Sequence, residues 1–112
     1  MDVAILQQLN AFVSINYNGL LGLFDLASNK LLDQVKLGGD WFYSIATSGD
    51  VIAVGSEEAA FILNVVDGKL VLKFTIKAKY AYHCTMHGDR LFFTNEAVNI
   101  TEVNIRTGET IR

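Results

Sequence analysis

A unit of roughly 40 residues is written three times along this chain of 112 residues, and the repeat limits what the chain can become. The phrase FDLASNKLL (24–32) returns as LNVVDGKLV (63–71) and again as VNIRTGETI (103–111). The turn residues Asn29, Gly68 and Gly108 are evenly spaced, each one repeat beyond the last. A period of that length made of short strands is the signature of β-propeller blades. Closed propellers carry about four to eight blades, so three copies predict an open sector of a ring.

The second copy shows the unit most clearly. WFYSIAT (41–47) is aromatic and β-branched, and Ser48-Gly49-Asp50 punctuates it as a turn. VIAVGS (51–56) is almost continuously apolar, as a strand covered on both faces must be. Glu57-Glu58 turns the chain into AAFILNVV (59–66), and Asp67-Gly68 is a strong hairpin signal before KLVLKFTI (69–76). The third copy runs YAYHCTM, RLFFTN, VNITEVNI and ETIR, and Gly88-Asp89, Tyr82, Glu96 and Asn104 repeat Gly49-Asp50, Tyr43, Glu57 and Asn64. The first copy is more divergent and opens at Asp2 on an innermost strand. The predicted fold is all-β: a partial propeller of three four-stranded antiparallel blades, the last truncated, forming one domain with repeats at about 2–40, 41–79 and 80–112.

Alternation predicts a wet and a dry face on each outermost strand. In the second copy Lys69, Val71, Lys73, Thr75 and Lys77 fall on one side, and Leu70, Leu72, Phe74 and Ile76 on the other. In the first copy Lys30, Gln34 and Lys36 oppose Leu31, Val35 and Leu37. Lysines on such an edge discourage edge-to-edge pairing.

These residues resemble the WD-repeat β-propeller family over nearly the whole chain. Phe24-Asp25, Leu63-Asn64 and Val103-Asn104 stand where that family places Trp-Asp, after a Gly-Asp turn, a strand and an acidic turn. Residues 51–74 are also similar to quinoprotein-type propeller repeats, which keeps a fragment of a larger propeller enzyme or cofactor binder as the alternative. The resemblance to WD repeats implies a non-catalytic protein-interaction scaffold.

Composition and spacing narrow the chemistry. A net charge of −3 lacks the basic footprint of a nucleic-acid surface, and no apolar run approaches a membrane span. The start carries no basic leader, and the lone Cys84 suits a reducing compartment, so the expected location is cytoplasmic. His83, Cys84, Met86 and His87 crowd soft donors together, but strand neighbours point to opposite faces, so no metal site is expected. Asp50 and Asp89 lie at the opposite end of a strand from Glu57, Glu58 and Glu96, too far apart for paired acid and base work. No catalytic or cofactor-binding residue is assigned, and the chain is read as no enzyme.

The resemblance to WD-repeat propellers implies a partner surface at the end of the blades where loops enter the innermost strands and join the second strand to the third. It carries Trp41, Tyr80, Lys77, Lys79, Asn18, Glu57, Glu58 and Glu96. Trp41 and Tyr80 occupy the same position in successive repeats, and aromatic residues anchor interfaces well. Stacking neighbours bury blade faces, so an open sector leaves apolar faces to be completed by a second copy or by a protein partner.

Overall fold

A computed structural model describes residues 2–39, 41–95 and 99–111. Eleven strands are present among them: β1 (Asp2–Leu6), β2 (Ala11–Ile15), β3 (Leu20–Asp25), β4 (Leu31–Lys36), β5 (Phe42–Ser48), β6 (Val51–Ser56), β7 (Ala59–Val66), β8 (Lys69–Lys77), β9 (Cys84–His87), β10 (Arg90–Asn95) and β11 (Asn99–Asn104). One 3₁₀ turn, Gln7–Leu9, joins β1 to β2 and ends on Asn10 in the left-handed region. The strands form three antiparallel sheets in sequence order, β1-β2-β3-β4, β5-β6-β7-β8 and β9-β10-β11. In the third sheet the place of a fourth strand is marked by a single bridge between Val103 and Thr110.

The innermost strands β1, β5 and β9 lie side by side, and β4 lies against β8. The first and second sheets bury Leu6, Val13, Ile15, Leu21 and Leu23 against Ile45, Ile52, Val54, Phe61 and Leu63. The second and third bury Ala53, Ala60 and Ile62 against Leu91, Phe93, Val103 and Ile105. The middle sheet is therefore dry on both faces, which is why VIAVGS shows no polar alternation. Polar links tie the layers together: the Ile45 N–H donates to Asp2 Oδ2 (3.0 Å), the Thr47 hydroxyl to the Ile5 carbonyl (2.8 Å), and the Leu70 N–H to Asp33 Oδ2 (2.8 Å).

The outermost strands depart from the expected wet and dry faces. Pairing slips between Leu23 and Phe24 and, at the corresponding place in the next repeat, between Ile62 and Leu63. A one-residue bulge moves every following side chain to the other face. Leu70 therefore joins the core shared with the first sheet, while Phe74 and Ile76 pack toward the third. Leu31, expected beside Val35 on the dry face, sits opposite Phe24 and is exposed. A second correction concerns YAYHCTM, where only Cys84–His87 is strand and residues 80–83 are irregular.

The two terminal sheets turn chemically different faces outward. On the first sheet, Ile5, Phe12, Phe24 and Leu31 are cross-strand neighbours in one outward row, with Phe12 and Phe24 stacked at 5.0 Å. Val3, Ser14, Gly22 and Gln34 form the next row. In the second sheet the same two rows face the first sheet and are filled by Thr47, Ile52, Leu63 and Leu72 and by Ile45, Val54 and Phe61. Gly22 occupies the place of Phe61, and a Cβ there would lie 2.8 Å from the Phe24 ring. The result is a shallow hollow lined by Val3, Ser14, Gly22, Phe24, Leu31 and Gln34. On the third sheet, Glu102 takes the place of Ile62, and its carboxylate accepts from Arg90 Nε at 2.6 Å while Arg90 lies over the Phe92 ring.

Candidate functional site

The loop end of the blades is organised by backbone hydrogen bonds that recur with the sequence period. The Phe42 N–H donates to the Tyr17 carbonyl (3.2 Å), and one repeat further on the Ala81 N–H donates to the Ser56 carbonyl (3.0 Å). The start of β5 and the segment leading into β9 are thus each pinned to the preceding blade, at the loop after its second strand or at that strand's last residue. Ser56 secures its own loop, since its hydroxyl donates to the Ala59 carbonyl (2.8 Å) and accepts from the Ala59 N–H (3.1 Å).

Glu57 is the hub of this surface. Its N–H donates to the Trp41 carbonyl (3.1 Å), and its carbonyl accepts from the Tyr80 N–H (2.6 Å). The two aromatics singled out by their spacing are therefore joined through one residue that was also expected at the site. Trp41 and Tyr80 both adopt left-handed backbone conformations, φ 57° and 58°. Asn10, Asn29 and Asp67 also do so, but their short polar side chains tolerate that region, whereas bulky aromatics carry a steric cost. Strain of this kind at corresponding positions in two loops is held by the surrounding hydrogen bonds.

Aromatic rings extend from both ends of that link. Trp41 is 56% exposed and stacks on the exposed Tyr17 ring at 6.0 Å. Tyr80 is 38% exposed and stacks on Tyr82 at 5.6 Å, and Tyr82 meets Tyr43 edge-on at 4.6 Å. Tyr43 and Tyr82 bound an open groove with His83 and Thr94. Burial, with the Glu57 carboxylate next in weight, raises the Tyr43 phenol above its ordinary value. Tyr17, Tyr43 and Tyr82 were not among the expected site residues. The matching positions of Tyr43 and Tyr82 in successive repeats were visible in the sequence, and Tyr17 falls within the loop 16–19 expected at that end, but nothing in the sequence pairs its ring with Trp41.

The remaining expected residues are placed as follows. Glu58, Lys77 and Lys79 line a second open groove with Ala78 and Asn95, next to the aromatic row. The Ala78 N–H donates to the Glu58 carbonyl (3.1 Å), which holds that groove together. Asn18 is exposed on the first blade's loop, and its carbonyl accepts from the Lys36 ammonium. Glu96 lies outside the described residues. Among the described residues neither Glu57 nor Glu58 forms an ion pair.

The residues in the Trp-Asp positions act locally in two copies of three. Asp25 Oδ2 accepts from the Ser28 N–H (2.9 Å) and hydroxyl (2.8 Å), and these bonds hold its carboxyl below the usual value. Asn104 Oδ1 accepts from the N–H groups of Arg106 (2.9 Å) and Thr107 (3.2 Å) in the equivalent turn. Asn64 precedes the tighter Asp67-Gly68 hairpin, and its Oδ1 has no hydrogen-bond partner among the described residues. Cys84 is tucked against Gly55, and burial pushes its thiol up to about 11. No group of three or more His, Cys, Asp or Glu side chains that could hold a metal ion occurs among the described residues. No helix of the described residues is long and apolar enough to cross a membrane.

No protein-family model matches the sequence, and no curated protein matches it. Solved structures do. The crystal structure of Sqt1 from Saccharomyces cerevisiae superposes with a TM-score of 0.82 at 18% identity, over 100% of this chain and 33% of that one. The structure of U3-55K gives a TM-score of 0.66 at 20% identity, over 80% of this chain and 33% of its own. Both are WD-repeat β-propellers, and the chain has the fold of a sector of such a propeller, spanning about a third of each of these two structures.

Proposed function

We propose that this chain is a non-catalytic protein-interaction scaffold, a partial WD-repeat-like propeller whose loop end contacts a protein partner and whose open first face is completed by further blades. The observation that carries the reading is the Trp41–Glu57–Tyr80 backbone link, which holds the backbones of two exposed aromatics together at a cost in strain. Rigid, amphipathic rings in a polar surround are the usual anchors of an interface. Trp41, Tyr80, Asn18, Glu57, Glu58, Lys77 and Lys79 form the contact surface in this reading, and Tyr17, Tyr43 and Tyr82 join them.

The completion half of the proposal rests on the outward rows of the first sheet. Val3 is 61% and Ile5 51% exposed, and both belong to rows that the second sheet fills with core residues. A blade from a second copy or from a partner would bury them. Copurification from cells tests the loop surface. A partner retained by wild type and by Lys73→Ala, and lost from a Trp41→Ala/Tyr80→Ala double variant, is the expected outcome. A partner that the double variant retains would overturn the assignment.

A further inference from the structure

We infer that the loop end recognises an arginine side chain of its partner, stacked on the aromatic row and paired with Glu57. The inference rests on the reading of that end as a partner surface and specifies its chemistry. Three features of the site converge on a planar cation. First, five rings are gathered on one surface, as a Trp41–Tyr17 pair on one side of Glu57 and a Tyr80–Tyr82–Tyr43 group on the other. Their π faces attract cations, and Trp does so most strongly. Second, Glu57 is half-buried between the two groups and forms no ion pair among the described residues, so its carboxylate can accept from a ligand. A carboxylate that raises the neighbouring Tyr43 phenol does so because its field reaches into the aromatic group. Third, backbone bonds to Trp41 and Tyr80 hold Glu57 from both sides and so fix the spacing of the two ring-bearing residues about it.

Arginine fits this arrangement better than lysine. A guanidinium can lie flat on a ring and still direct N–H groups at a carboxylate in the same plane, whereas an ammonium is a strongly hydrated point charge. Lys77 and Lys79, next to Glu58, set the limit of the cation site. They would repel a second positive charge there and favour an acidic or polar neighbour to the arginine in the partner's sequence.

Trp41 is the sole tryptophan of the chain, so intrinsic fluorescence reports on the site directly. The full chain is titrated with tetra-arginine, tetra-lysine and tetra-glutamate peptides at low salt. The expected result is saturable quenching by tetra-arginine, about tenfold weaker half-saturation with tetra-lysine, and no saturable response to tetra-glutamate. Glu57→Gln keeps both backbone bonds and should weaken the tetra-arginine response by about tenfold, while Asp50→Asn at the far end of the strand leaves it unchanged. Equal responses to arginine and glutamate peptides, no response to any peptide, or an unaltered response in Glu57→Gln would each overturn the arginine assignment. Loss of a partner from the Trp41→Ala/Tyr80→Ala variant in the copurification would still stand beside any of these results, so the two proposals fail separately.

Discussion

At the scale of single residues, the fold depends on a few positions where no other side chain fits. Gly55 in β6 approaches the chain entering the third sheet so closely that a Cβ would overlap the Ala81 carbonyl oxygen and lie 3.0 Å from Cys84 Sγ. A backbone atom cannot swing aside as a side-chain tip can, so Gly55→Ala should cost about 3 kcal/mol, read as a lowered urea midpoint. Trp41 is the opposite case. Its left-handed backbone is strained and its ring is mostly exposed, so Trp41→Gly should leave the midpoint unchanged or raise it. Phe42→Ala, one residue on and 1% exposed, should cost about 3–5 kcal/mol in the same assay. Such a contrast between neighbours would mark Trp41 as kept for contact rather than stability. Cys84 gives a third check. With its thiol pushed up to about 11, iodoacetamide at pH 8 should label it slowly in the folded chain and rapidly in denaturant.

At the scale of elements, the strand order and most turns could be read from the sequence because each rests on local chemistry. Asp67-Gly68 fixes its hairpin whatever surrounds it, and Gly49 and Gly88 take the left-handed conformations their turns require. The bulges at Leu23/Phe24 and Ile62/Leu63 could not be read. A bulge leaves the residue types of a strand unchanged and shows itself only in which partner each residue meets, so alternation alone assigned Phe74 and Leu70 to one face. β9 fell short of its expected length for a related reason: Tyr80 and Tyr82 have high strand propensity, but the loop geometry that stacks them overrides it. Asp33 supplies the prediction at this scale. Its carboxylate accepts the Leu70 N–H from the neighbouring blade, and that bond holds its pKa below the ordinary value of 3.8. A depressed pKa contributes stability that is present above 3.8 and is lost as pH falls through the folded-state value. The fall in melting temperature between pH 6 and pH 3 should therefore be smaller in Asp33→Asn than in wild type.

At the scale of the whole molecule, three sheets yield two buried interfaces and two outward faces, and the outward faces are not equivalent. The third sheet carries the Glu102–Arg90 pair on its outward face, where the second sheet has Ile62, beside Phe92 and the exposed Ile100. The first sheet instead presents Val3, Ile5, Phe12, Phe24 and Leu31 around a hollow at Gly22. The threefold period made three stacked sheets legible, but the contrast between their outward faces depended on Glu102 and Gly22, single substitutions within otherwise regular strands. If the first face is an unfilled blade interface, the mass of the purified chain by light scattering reports it most directly. The expected mass lies above the 12.4 kDa of one chain, rises with concentration and returns to one chain in Phe24→Glu. A wild-type protein that stays at one chain's mass at every concentration and unfolds in a single sharp transition would contradict it.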